Sequence, residues 1–392
     1  MITVDEAQAR LLALKRPLPA IMLPVAQAVG SYLAEDVIAK RTQPAADLSA
    51  MDGYAIRFAD LPGPWRVVGE SAAGRPYAGQ VGAGEAARIF TGAHVPGGAD
   101  SILVQEEAGR DHETLTLTGE GPPNLGAHIR RKGGDFSEGG RLLEAGTRLN
   151  AGAIAASVMA GFGELSVGGR PKVSIIGSGD ELLPPGEPCD AAHIPSSNSV
   201  MLTSMLDRLP CVAEDKGIVA DNLADLENMF RACAGSDIIV TSGGASVGDH
   251  DLVQQALRNV GAEIDFWKVA MRPGKPVMAG RLGGAIVLGL PGNPSSAFVT
   301  AFLFLLPLVR HLAGSMAPFP EVQNATLASD LPVGGQRTDY LRARVENGVI
   351  SMFNRQDSGM LAPLSQANAL LINTAGALPR SAGSKAQYLC ID

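Results

Sequence analysis

Residues 237–251 gather the side-chain types that hold a phosphorylated ligand. An apolar run ends at Thr241 and opens into Ser242-Gly243-Gly244-Ala245-Ser246-Val247-Gly248-Asp249-His250-Asp251. Glycines let backbone N–H groups approach an oxyanion closely, and a helix starting near His250 adds the positive end of its dipole. Two other stretches repeat the logic: Gly177-Ser178-Gly179-Asp180-Glu181, and Gly289-Leu290-Pro291-Gly292-Asn293-Pro294-Ser295-Ser296. The last runs straight into an apolar helix, so the Ser295 and Ser296 amides are expected to point at an anion. Any one of these reads equally well as an ordinary Gly-rich turn, whereas three on one sheet edge read as a binding site.

Glu181, Asp221, Asp249 and Asp251 fall at predicted strand ends or helix starts. Carboxylates crowding a phosphate repel it unless a divalent cation bridges them, so magnesium is expected there. Helix capping is the competing role for Asp221. Lys268, Arg272 and Lys275 follow a predicted strand, and Pro273 and Pro276 stiffen their segment. Three cations on a rigid turn suit an oxyanion, with a solvated basic face as the alternative.

Other chemistries fit less well. No Walker A loop or full dinucleotide fingerprint occurs, which disfavours a P-loop NTPase or a dehydrogenase. Gly244-Ala245-Ser246-Val247-Gly248 matches a nucleophile elbow, with Asp265 and His311 downstream in hydrolase order. An elbow serine stands at the turn directly after its strand, however, and here a Gly-Gly turn intervenes. The six histidines lack metal-ligand spacing, and Cys189, Cys211, Cys233 and Cys390 form no CxxC pair.

The elements that must position these loops alternate between residues 171 and 314. Strands are expected at 173–176, 212–219, 238–240, 264–269 and 285–290, with a short element at 277–279. Amphipathic helices are expected at 198–209, after 221, and near 250, and an apolar helix follows Pro294. The order predicts a parallel sheet covered on both faces, with ligands at the carboxyl ends of its strands. Asp221 or Asn222 can cap the helix carrying Leu223, Leu226, Met229 and Phe230.

Residues before 170 are rich in Gly and Pro, with β-like pieces at 65–68, 87–90 and 101–104 flanked by helical pieces at 4–14, 24–29 and 151–159. Short strands resume at 340–345 and 349–353. The chain has 392 residues, 46% of them hydrophobic, and so can bury several cores. Its net charge of −8 argues against nucleic acid or an anionic membrane as partner. The longest apolar run, 297–309, reads as a buried core helix, shorter than the roughly 20 residues of a membrane span. No export signal is visible, and unpaired cysteines suit a reducing cytoplasm.

Taken in order, a set of motifs resembles the MoeA and gephyrin E-domain family of molybdopterin molybdenumtransferases over nearly the whole chain. They are Ser49-Ala50-Met51-Asp52-Gly53-Tyr54-Ala55, Thr91-Gly92-Ala93, Gly134-Asp135, Gly179-Asp180-Glu181-Leu182, Ser197-Asn198-Ser199, Ser242-Gly243-Gly244 with Ser246-Val247-Gly248, Pro273-Gly274-Lys275-Pro276 and Gly289-Leu290-Pro291-Gly292-Asn293-Pro294. The resemblance implies four domains: an elongated helical one (1–40 and 139–169), an inserted β domain (41–138), an α/β molybdopterin-binding domain (170–315) and a C-terminal β-barrel (316–392). It implies insertion of molybdate into adenylylated molybdopterin with magnesium-dependent release of AMP, the alternative being a non-catalytic scaffold or carrier.

By the same resemblance Asp52, Thr91, Asp135, Glu181, Asp221 and Asp251 would be functional, with Glu181, Asp221 and Asp251 holding magnesium. Lys268 and Arg272 would hold oxyanions, and Pro291 and Pro294 would shape their loop. Arg272 stands where relatives often carry lysine. A homodimer is implied, with Asp52 and Asp135 reaching the site of the other subunit. Implied protein partners are the adenylyltransferase that supplies the substrate and the chaperones of molybdoenzymes.

Overall fold

A computed structural model of the chain describes residues 1–243, 252–274 and 277–391. Gly244, Ser246, Gly248, Asp251 and Lys275 therefore lie outside the described residues, as does the elbow-like Gly244-to-Gly248 motif.

Antiparallel pairs Ile21–Pro24 with Glu164–Val167, and Val37–Ile38 with Arg141–Leu143, bracket helix Ala151–Met159. Asn150 caps that helix, its Oδ1 accepting from the Ala153 amide at 2.9 Å. Val25, Leu33, Val37, Leu149, Leu165 and Val167 form the core between them. The chain leaves this body near residue 40 and returns near 139. Between lies a six-stranded sheet that runs spatially Ser101–Val104, Gly53–Ile56, Glu85–Ile89, Trp65–Ser71, Thr114–Leu117, Ala108–Asp111. It closes on Trp65, Ile56, Leu103 and Leu115.

The α/β body carries six strands: β1 (Lys172–Ser178), β2 (Val212–Val219), β3 (Ile238–Ser242), β4 (Glu263–Trp267), β5 (Val277–Leu282) and β6 (Ala285–Leu290), in spatial order β2-β1-β3-β6-β5-β4. Strands β2, β1, β3 and β6 are parallel neighbours, and β3 and β6 are buried along their whole length, as a sheet covered on both faces requires. The expected all-parallel sheet is corrected at one strand. Gly283-Gly284 is a two-residue hairpin connection, so β5 folds back antiparallel on β6 and pairs antiparallel with β4.

Helices Leu223–Ala232 and Leu252–Asn259 cover one face through Leu226, Phe230, Val253 and Leu257. The other face takes helix Ser197–Leu206 and the apolar helix Pro294–Leu312. That last helix is long and apolar enough to cross a membrane, but 83% of its apolar window is buried inside the fold. Each fully buried Leu or Phe there contributes about 1.5–3 kcal/mol.

Residues near the N-terminus depart from expectation. Helix Val4–Leu12 packs through Val4, Ala7 and Leu11 onto this α/β core rather than beside residues 139–169. Gln8 Nε2 donates to Leu303 O at 2.7 Å, and Lys15 pairs with Asp237 at 2.7 Å. An apolar stripe on one helix goes where the largest apolar surface is offered, and sequence order alone does not say where that is.

After residue 316, strands Val322–Leu327, Thr338–Glu346, Val349–Met352, Ala369–Asn373 and Lys385–Cys390 close into a five-stranded barrel, Ala369–Asn373 pairing back onto Thr338–Glu346. Asn347 and Gly348 adopt φ of 50° and 76°, the positive values a tight hairpin needs. Met271–Arg272 adds to this barrel as a parallel edge, Arg272 opposite Asp339. Arg272, one cation of the expected rigid basic turn, is thus held by the neighbouring domain.

Candidate functional site

Register places the three loops side by side. Gly177 of β1 lies opposite Ser242 of β3, and Ser242 opposite Leu290 of β6. All three strands run the same way, so Gly177-Ser178-Gly179, Ser242-Gly243 and Pro291-Gly292-Asn293-Pro294 meet at one carboxyl edge around a cleft of about 400 Å³. Gly243 holds φ at 97°, and a Cβ there would stand 2.6 Å from Ser178 O. Only glycine lets these loops approach so closely.

Glu181 lines the cleft as expected. Asp221 stands beside it: Ser178 Oγ donates to Asp221 Oδ1 at 2.8 Å, and the Asp221 amide donates to Asp180 Oδ1 at 2.9 Å. Capping of the next helix falls to Asn222, whose Oδ1 accepts from Ala224 and Asp225. Asp221 is therefore free of the structural role that competed for it. Among the described residues no group of three His, Cys, Asp or Glu side chains stands ready for a metal ion.

Ser295 is reassigned. It is fully buried, its amide donates to Ser358 O at 3.0 Å, and its hydroxyl donates to Met360 O at 2.7 Å. Buried Arg342 donates to Ser295 Oγ at 2.7 Å and Met360 O at 2.9 Å, lacing the barrel to the Pro291–Pro294 loop. The Ser295 amide thus serves the domain junction and does not point at an anion. The apolar helix buries its first turn against the barrel because a Pro-initiated helix leaves N–H groups that need acceptors.

The cations divide. Lys268 is exposed, and its Nζ has no partner among the described residues. Arg272 forms a two-pronged pair with Asp339, Nε to Oδ1 at 2.7 Å and Nη2 to Oδ2 at 2.9 Å, beside a second cavity of about 680 Å³ that Arg337 also lines. Among the described residues its Nη1 has no acceptor.

Asp52, Thr91 and Asp135 belong to the region 41–138 and are absent from the described lining of the cleft. Thr91 donates to Asp52 Oδ1 from both its amide and its hydroxyl, each at 2.7 Å. These bonds, with the Arg88 charge as a lesser contribution, hold the Asp52 carboxyl below the ordinary aspartate range. Arg88 is itself fixed over the rings of Tyr54 and Phe90 and donates to Gly53 O at 3.2 Å. Asp135 is exposed, and its amide donates to Gln43 O. His311, a candidate in the hydrolase reading, places Nε2 3.0 Å from Lys15 O.

Sequence reasoning missed several cleft residues. Leu182, Ile194 and Pro195 form an apolar wall, carried on a short parallel pair between Leu182–Leu183 and Ile194–Pro195. Ser196, Ser197 and Ser199 line the cleft at the start of helix Ser197–Leu206, where Ser196 makes no side-chain capping bond. Asn198 joins two of the loops, donating to Ser242 Oγ and Gly292 O at 2.8 Å each. Their sequence signals were the motifs Ser197-Asn198-Ser199 and Gly179-Asp180-Glu181-Leu182, quoted for the family resemblance without a site role for these residues.

Fold and site together define a multidomain α/β protein with a cleft of glycine and serine loops at the carboxyl edge of its parallel strands and a C-terminal barrel packed on the start of its apolar helix. Residues 2–161 match the MoeA N-terminal region (domain I and II), 174–311 a probable molybdopterin binding domain, and 324–390 the MoeA C-terminal region (domain IV). The chain belongs to the MoeA family. It is 36% identical over 318 residues to a molybdopterin molybdenumtransferase of Haemophilus influenzae, covering 80% of this chain and 78% of that one. It is 32% identical over 399 residues to one of Staphylococcus aureus, covering 97% and 94%. A crystal structure of a molybdopterin biosynthesis MoeA protein from Pyrococcus horikosii aligns with 100% of this chain and 99% of its own, at 26% identity and a TM-score of 0.80.

Proposed function

We propose that this chain is a molybdopterin molybdenumtransferase of molybdenum cofactor biosynthesis. It takes molybdate and adenylylated molybdopterin, places molybdenum on the dithiolene sulfurs and releases AMP. The observation that carries the reading is the convergence of three glycine loops on one cleft, with Glu181 in its wall and Asp221 bonded to the lining residue Ser178, in a chain whose relatives bear that activity in their names.

Backbone groups of Gly177, Gly179, Gly243 and Gly292 and the hydroxyls of Ser178 and Ser242 would surround the phosphorylated end of the substrate, with Asn293 at the rim. Gly244, Ser246 and Gly248 would extend that cradle. Pro291 and Pro294 would hold the third loop to one shape. Lys268 and the open edge of Arg272 would receive molybdate, with Lys275 beside them.

Glu181 presents hard oxygen donors in the cleft wall and Asp221 stands beside it on Ser178, and neither carboxylate is consumed by a salt bridge or a helix cap among the described residues, which fits magnesium. Asp251 would complete the set. Magnesium bound there supplies charge neutralisation at the phosphoanhydride. Asp180 orients Asp221 through its amide.

Asp52, Thr91 and Asp135 act in this reading from a second copy of the chain. The described lining of the cleft is confined to residues 177–294, so their participation calls for a homodimer with the site between subunits. The free cysteines favour a cytoplasmic setting, with the adenylyltransferase and molybdoenzyme chaperones as neighbours in the pathway. AMP release from adenylylated molybdopterin, with magnesium and molybdate each omitted in turn, tests the proposal. Release that needs both ions supports it; tight binding without release would make the protein a carrier.

A further inference from the structure

We infer that Asn198 is a positioning residue of the cleft, which aims the Ser242 hydroxyl hydrogen at the bound ligand. The Asn198 carboxamide donates both Nδ2 hydrogens, to Ser242 Oγ and to Gly292 O at 2.8 Å each. Gly292 O can only accept, so the amide nitrogen must face it and the orientation of the whole group is fixed. Ser242 Oγ is therefore an acceptor toward Asn198, and its own hydrogen turns elsewhere.

Among the described residues that hydrogen meets no acceptor. Ser242 is 4% exposed and lies in the cleft wall, where an unpartnered O–H favours any ligand that brings an oxygen. A second observation points the same way. Asn198 Oδ1 is itself buried without a partner, so the side chain is not placed for its own hydrogen-bond satisfaction. One amide thus ties the end of β3 to the Pro291–Pro294 loop and sets the direction of a donor.

The inference rests on the reading that this cleft takes the phosphorylated pterin, whose phosphoryl oxygen is the acceptor in question. Binding of molybdopterin to the full-length protein tests it, together with KM and kcat for the adenylylated form. Asn198→Ala and Ser242→Ala are each expected to weaken binding about tenfold. The double variant should bind about as Ser242→Ala does, because Asn198 acts through that hydroxyl. Asn198→Asp can donate only when protonated, so its affinity should be poor at neutral pH and recover toward about pH 4. In the Ser242→Ala background the same exchange should show no recovery, whereas a residue that merely held the loops through Gly292 O would recover there too.

Ser242→Ala keeps the Asn198 tie to Gly292 O and decides the matter even where Asn198→Ala folds poorly. Wild-type affinity in Ser242→Ala, or losses that simply add in the double variant, would overturn the inference. Failure of the wild-type protein to bind molybdopterin would instead overturn the reading of the cleft itself.

Discussion

Asp52 shows how a half-buried carboxylate acquires a definite state. Two bonds from Thr91 and the nearby Arg88 charge favour its ionised form, so its titration midpoint is depressed. A depressed carboxylate contributes stability that is present above the unfolded value and is lost as pH falls through the folded one. The window for Asp52 therefore lies below the ordinary aspartate range. Thr91→Val removes the hydroxyl donor and keeps the amide, so the midpoint should rise part of the way back in a carboxyl NMR titration. An unchanged midpoint would deny the hydroxyl bond. Asp221 and Asn222 offer a paired test, since one bonds the cleft residue Ser178 and the other caps a helix. Asp221→Asn should lower AMP release tenfold or more, on the order expected for loss of a metal or charge contact, with the melting midpoint unchanged. Asn222→Ala should lower stability by about 1 kcal/mol while turnover survives. The opposite pattern would exchange their roles.

At the scale of elements, the cleft depends on how closely three strand ends can approach. Gly243, at φ 97° and with Ser178 O 2.6 Å from any added Cβ, is where this approach is tightest in the second loop. Gly243→Ala should cost about 1–3 kcal/mol of stability, read from denaturant midpoints, and should weaken substrate binding as well. A variant as stable as the parent would mean that the loop relaxes without strain. The β5–β6 hairpin sits beside these strands and changes the direction of one strand without disturbing the edge, because β4 returns to the direction of β6.

For the whole molecule, the junction between α/β body and barrel is where the cleft loops gain their rigidity. Arg342 and Ser358 grip the start of the apolar helix, and Asp339 grips Arg272. The Arg272–Asp339 pair is unequal: the Asp339 side chain is 9% exposed and that of Arg272 61%. Removing the arginine leaves a buried carboxylate without its counter-charge, whereas removing the aspartate leaves a guanidinium largely in water. Arg272→Ala should therefore destabilise by roughly 2–3 kcal/mol, and Asp339→Ala by about 1 kcal/mol or less. Equal losses in thermal unfolding would show that the carboxylate is hydrated after all.

The sequence by itself determined the local chemistry and the class of fold. Glycines, serines and carboxylates follow apolar runs at 173–176, 238–240 and 285–290, and period and punctuation are enough to read strands, loops and helices from such runs. The ordered motifs of the MoeA family were legible in the same residues. Tertiary structure decided what depends on partners far apart in the chain: that Asp221 meets Ser178 and leaves the helix cap to Asn222, that Ser295 serves the barrel, that Arg272 meets Asp339, and that Asn198 joins Ser242 to Gly292. It also sent helix Val4–Leu12 onto the α/β core and folded β5 back on β6. The physical reason is common to all of these. A donor, a carboxylate or an apolar stripe states a need that sequence can show, but which group meets that need is settled by register and packing across dozens to hundreds of residues.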